Sequence, residues 1–180
     1  MIKDYASAAV IALVLWGPVA ALAATSDSTT GALTGTVIRP ILVTANQGMQ
    51  FGVIVRPGSG SGVVTLTNAG ALSVTGTGAI ALPSSVPRAA MFTVSGEGGQ
   101  SLTLTIDSTV TLTNAAPSGG TLAVSTTNDA GCTTLCTLGG VLGATASGTL
   151  IFHVGGSFGI LSTTHTGAYS GTINVVVAYN

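Results

Sequence analysis

Gly155-Gly156-Ser157-Phe158-Gly159 has the G-x-S-x-G spacing of a nucleophile elbow, with Ser157 at the serine position. Such an elbow works where a strand turns sharply into a helix and presents the hydroxyl to a histidine that an acid orients. Here the next residues, "ILSTTHTGAYSG", are not helix-forming, and no Asp or Glu occurs after Asp129. His165 follows too closely to be the distant partner of a triad. The run therefore reads as a Gly-Gly-Ser turn between strands.

The remaining reactive side chains are as sparse. Glu97 in "GEGGQ" and Asp107 in "IDS" sit in turn contexts, where acids cap backbone amides or face water. Two-carboxylate hydrolysis needs the pair to face each other across a cleft, and nothing in their spacing implies that. "GSGSG" and "GEGGQ" lack the last glycine or the Lys-Ser/Thr pair of a phosphate-binding loop. His153 alternates with Phe152 and Val154, as a solvent-facing strand residue does. Cys132 and Cys136 form an even pair, which in an exported chain reads as a disulfide. The loop it closes is short, so its entropic effect stays below the ~3 kcal/mol of a 15-residue loop. Neither histidine has a neighbouring acid or cysteine in sequence, so no metal site is expected. No catalytic residue and no cofactor follow from these patterns.

The elements that carry these residues are strands. "TVIRPILVT" (36–44), "QFGVIV" (50–55), "GVVTLT" (62–67), "ALSVT" (71–75), "MFTVS" (91–95) and "SLTLTI" (101–106) are short runs rich in β-branched residues. "TVTLT" (109–113), "TLAVST" (121–126), "TLIFHV" (149–154) and "YSGTINVVVAY" (169–179) continue the series. Gly, Pro, Ser and Asn clusters separate them, the pattern of an antiparallel sandwich or barrel. Pro40 cannot donate to a ladder, which puts its segment on an edge, at a bulge or at a switch between sheets. A β-solenoid would need a fixed period, and none recurs.

Composition sets the surroundings. Met1 to Ala23 reads as a secretory signal peptide, with Lys3 and Asp4 ahead of an apolar run, a Gly17-Pro18 break and a small-residue site at Ala21-Leu22-Ala23. The broken run is too short to span a bilayer, so no stable membrane insertion is expected after cleavage. Residues 24–35 then form an extension and 36–180 one β-sandwich domain. Charged residues make up 5% of the chain, against about 25% in a typical soluble domain. Three scattered arginines, Arg39, Arg56 and Arg88, cannot form the basic stripe that nucleic acid requires. A surface of Thr, Ser, Asn and Gly repels its own copies weakly, which suits packing against its own kind.

The closing segment carries the strongest pattern. Counting Asn180 as first, Tyr179 is second from the end, Val177, Val175 and Ile173 are fourth, sixth and eighth, and Gly167 is fourteenth. This resembles the C-terminal signature of fimbrial (pilin-like) subunits assembled by the chaperone–usher route, where such a strand is gripped by a periplasmic chaperone. The chain also resembles a small bacterial family of exported, charge-poor, all-β proteins of unassigned function. They share an early "FG", here Phe51-Gly52, and a closing "G-x-Y-x-G-x-x-x-V-x-V-x-Y", here Gly167 to Tyr179.

The resemblance implies an immunoglobulin-like sandwich lacking one strand, with a groove beside the last one. The chaperone fills the groove in the periplasm, and the N-terminal extension of another copy or related subunit fills it in a cell-surface fibre, by β-strand addition. An outer-membrane usher is the further partner implied. Four alternating apolar side chains represent about 6–12 kcal/mol when fully buried, an upper bound. That matches the net stability of a typical domain, about 5–15 kcal/mol. The donor within this chain would be residues 24–38, with Leu33, Gly35 and Val37 facing the partner's groove; the competing reading is that 32–44 is the domain's own first strand. The other function class that fits is a self-complete secreted β-sandwich binding carbohydrate or another surface ligand.

Overall fold

The computed structural model describes residues 28–83, 86–116, 119–132 and 135–180. Residues 1–23, read above as a signal peptide, and the first residues of the expected extension lie outside them. The sandwich is built within Thr36–Asn180. Residues 28–35 form no regular structure and are exposed.

Among the described residues there are thirteen strands and no helix. In chain order they are β1 (Leu42–Gln47), β2 (Ile54–Val55), β3 (Ser61–Leu66), β4 (Leu72–Val74), β5 (Ile80–Ala81), β6 (Ala90–Gly96) and β7 (Ser101–Ile106). There follow β8 (Thr109–Asn114), β9 (Thr121–Asn128), β10 (Leu135–Thr137), β11 (Gly148–Leu161), β12 (Tyr169–Ser170) and β13 (Val175–Tyr179). The larger sheet runs β1-β6-β11-β9-β8-β12, with β3 on the second half of β11 and β4 on β3. The smaller sheet is β10-β7-β13, and β2 pairs with β5. Every pairing between these strands is antiparallel.

The core follows from period-two alternation. Ala90, Phe92 and Val94 of β6, Leu102 and Leu104 of β7, and Phe152 and Val154 of β11 close a first buried cluster with Cys136 and Leu138. Phe92 and Phe152, paired across the ladder, stack with centroids 5.5 Å apart. A second cluster of Val64, Val110, Val124, Phe158 and Ile160 lies along the other half of the large sheet. Phe51 of the "FG" pair packs there, edge-on to Phe158 at 5.0 Å. On the outward face of β8 and β9, Thr109, Thr111, Thr113 and Ser125 are exposed hydroxyl-bearing residues.

β11 joins the two halves. From Gly148 to Val154 it pairs with β6, and from Gly156 to Leu161 it pairs with β3. Its opposite edge, Val154 to Ser157, pairs with β9. A Cβ on Gly155, at the changeover, would strike the carbonyl of Leu66 and the Asn68 side chain. Gly155 and Gly156 therefore let neighbouring segments of the chain approach closely inside a strand, and the expected turn at this place is not there. Ser157 sits opposite Thr65 and Ser125.

Other expectations are adjusted. The first strand begins at Leu42, after Pro40, and not at Thr36; it is an edge strand, with a bulge between Ala45 and Gln47. Of "QFGVIV" only Ile54–Val55 is strand. The last run breaks into β12 and β13, each on a different sheet. β5 and β10 had no signal of their own because two or three residues cannot display a period. Cys132 and Cys136 are disulfide-bonded, with Cα atoms 5.5 Å apart. The staple is local, as expected, but Cys136 reaches the core opposite Leu102.

Candidate functional site

Gly167, first of the closing-pattern residues, is not part of β13. It lies ahead of β12 with φ +143°, and a Cβ there would stand 2.6 Å from Asn114 Oδ1. Asn114 is buried; its carboxamide donates to the Thr166 carbonyl at 3.3 Å and accepts from the Ala116 amide at 2.9 Å. The Tyr169 hydroxyl lies 2.9 Å from the Gly119 carbonyl and 2.8 Å from that of His165, so the same turn is held twice. Gly167→Ala is expected to lower the stability of the isolated chain by about 1–3 kcal/mol, since both backbone strain and overlap oppose it. A urea unfolding midpoint measures this without any partner present.

After Ser170 the chain leaves β8 and crosses to the small sheet. The Asp107 carboxylate accepts from the Asn174 amide at 3.0 Å and pins the crossing. β13 then pairs with β7, from Val175↔Ile106 to Tyr179↔Leu102. The Asp107 amide donates to the Asn174 carbonyl, and the Asn180 amide donates to that of Ser101. In an antiparallel ladder this alternation turns the backbone groups of Asn174, Val176, Ala178 and Asn180 toward β7. Those of Val175, Val177 and Tyr179 then point to the other edge, where no described strand pairs.

The side chains of that edge are incompletely covered. Ile173, Val175, Val177 and Tyr179 all pack on the first cluster, yet each is only half-buried. Ile41 and Val43, at the edge of the facing sheet, are in the same condition. Most inward residues of the interior strands β6, β7 and β11 are by contrast buried, Val94, Leu102 and Phe152 completely, with Ile106 and Leu150 partly covered. The sandwich is thus sealed in its middle and thinly covered along β1 and β13.

One residue ties the ends of both edges. Glu97, 3% exposed, accepts from the Gly143 amide at 2.6 Å and from the Arg39 amide at 3.3 Å. Its own amide donates to the Tyr179 hydroxyl at 2.6 Å. The Arg39 guanidinium spreads over the carbonyls of Ala144, Thr145 and Ala146 at 2.5, 3.0 and 2.8 Å. Gly96 has no side chain where the Tyr179 hydroxyl lies, and a Cβ would occupy that place. The Gly143 amide holds the Glu97 carboxyl below the usual glutamate range; burial opposes this, and the amide and charge of Arg39 add to it. The sequence marked Glu97 as a turn acid that could cap amides, but its burial and its link to both edges were not visible there.

The remaining residues singled out lie apart. Leu33 is 99% and Val37 96% exposed, and Gly35 between them is exposed as well. His153 is half-buried, and its Nδ1 lies 3.0 Å from the Asp129 carboxylate, a neighbour the sequence separation hid. Among the described residues no three His, Cys, Asp or Glu side chains converge as a metal site would need.

The DUF4402 profile matches residues 41–179. The chain belongs to the DUF4402 family. The family is described as a domain of unknown function. No curated protein and no solved structure matches the chain. The DUF4402 span takes in both half-buried edges, from Ile41 to Tyr179, and leaves out Arg39 and the exposed residues before it.

Proposed function

We propose that this DUF4402 chain is a structural subunit of a bacterial surface fibre, exported through the periplasm and joined to its neighbours by strand donation. A periplasmic chaperone and an outer-membrane usher would be its assembly partners. The observation that carries the reading is the edge of β13 that pairs with no strand among the described residues, with Val175, Val177 and Tyr179 only half-buried over the core. Such an edge templates another strand. The strand order supports the reading further. β1-β6-β11-β9 follows the A-B-E-D order of an immunoglobulin sandwich and β7-β13 its C-F pair, and among the described residues nothing stands where strand G would pair. Leu33 and Val37, bare on either side of Gly35, are the apolar side chains this chain would offer to a second copy.

A second reading, a self-complete sandwich that binds carbohydrate, draws on an open cleft of about 430 Å³ beside the crossing. It is lined by Asp107 and by hydroxyl-bearing Thr109, Thr111, Thr113, Ser170 and Thr172, residue types that match sugar hydroxyls. One experiment separates the two. The chain from residue 24 onward, purified without a chaperone, is expected to form ladders resistant to cold detergent, and removal of residues 24–36 is expected to abolish them. A stable monomer whose behaviour is unchanged by that deletion would count for the second reading.

A further inference from the structure

We infer that Glu97 is an acid-released clamp that couples the two edge strands, so that β1 and β13 are held, and let go, together. Three pieces of chain distant in sequence meet on this residue. The segment before β1 arrives through the Arg39 amide, the end of β13 through the Tyr179 hydroxyl, and the 139–147 loop through the Gly143 amide. Arg39 closes the circuit, because its guanidinium holds the same loop by three carbonyls. The packing leaves little slack: a Cβ on Gly96 would strike Tyr179, and one on Gly98 would lie 2.7 Å from the Val141 amide nitrogen. Of the three acids in the described residues, Glu97 alone is buried, in a chain with few charges to spare.

The ionisable groups around Glu97 are Arg39, from the segment before β1, whose charge acts on the carboxylate, and Tyr179, from β13, whose hydroxyl meets the main-chain amide. The 139–147 loop and the 98–100 turn contribute none. A carboxylate with two amide donors is replaced, on protonation, by a group that must turn one acceptor site into a donor. Because the folded-state value is depressed, the carboxylate's contribution is complete above the unfolded-state value and is lost as pH falls through the folded-state one. The clamp is closed at neutral pH and opens only below the ordinary glutamate range. It acts whether or not another strand covers the edge.

Residue-resolved hydrogen exchange on the chain from residue 24 onward, from pH 7 downward and corrected for intrinsic rates, tests this. Amides of β1 and the β7-facing amides of Ala178 and Asn180 are expected to lose protection at least tenfold at one shared midpoint. Phe92 and Phe152 should keep theirs at that pH. In Glu97→Gln the loss is expected already at pH 7. Tyr179→Phe, which removes only the hydroxyl, should loosen both edges at neutral pH and serves if Glu97→Gln does not fold. Separate midpoints for β1 and β13, or edge protection in Tyr179→Phe equal to the parent's, would overturn the clamp.

Discussion

An apolar strand joined behind Asn180 through a flexible linker is expected to raise the thermal midpoint by roughly 5–15 °C. The gain comes from finishing the burial of six side chains, Ile41, Val43, Ile173, Val175, Val177 and Tyr179, that are now half-covered. Half of the about 1.5–3 kcal/mol per fully buried side chain gives roughly 5–9 kcal/mol for the six, an upper bound. Ordering the added strand costs about 1–2 kcal/mol per residue and offsets most of that gain. The few kcal/mol that survive come from the new ladder bonds and the added strand's own buried side chains. For a domain of this size each kcal/mol moves the midpoint by about 2–4 °C. The register adds a signature that nonspecific stabilisation cannot imitate. The amides of Val175, Val177 and Tyr179, directed away from β7, should gain exchange protection, while Val176 and Ala178 change little. A control strand with Asp at its inward positions should give no gain. An unchanged midpoint with Val175 and Val177 still exchanging freely would sink the strand-donation reading, because the edge would then not accept a strand even at high local concentration.

Phe152→Ala is expected to cost about 3–5 kcal/mol, the range for removing a large buried aromatic ring. Phe152 has no exposure at all, stacks on Phe92 and sits where β11 crosses the first cluster. Loss of that much from a total of about 5–15 kcal/mol leaves little, and a sandwich thinly covered along two edges starts near the lower end. The variant should therefore be largely unfolded at 37 °C unless a strand is supplied. Ile151→Ala, one residue away and 58% exposed on the other face of the same strand, should change stability by about 0.5 kcal/mol or less. Urea titrations of the pair measure the contrast. Equal effects at 151 and 152 would mean that the inward face of β11 has been assigned to the wrong side.

Much of this architecture is legible in the residues. Alternation at 101–106 and 109–113 coincides with β7 and with all but the last residue of β8, and the turn between them needs only Asp107 and Ser108. The Cys132–Cys136 pairing follows from an even count and short spacing. "GGSFG" misled because glycine is permissive in both turns and crowded strands, and only the carbonyl of Leu66 above Gly155 decides between them. "YSGTINVVVAY" looked continuous because alternation does not record which sheet a residue faces. The crossing is made by Asp107, more than sixty residues earlier in the chain, through the amide of Asn174.

By itself, then, the sequence determined the class of the protein: all-β, charge-poor, stapled by a local disulfide, and ending on a strand with one apolar face. Those properties reside in single residues and their nearest neighbours, where side-chain alternation and turn chemistry act. Only the tertiary structure decided that β11 changes partners at Gly155, that the faces of β1 and β13 stay half-covered, and that Glu97 holds both ends. Each of these depends on contacts between distant segments, as when Arg39 reaches carbonyls 105–107 residues away. Burial and edge exposure are properties of what lies opposite a residue in space, and no periodicity along the chain encodes that.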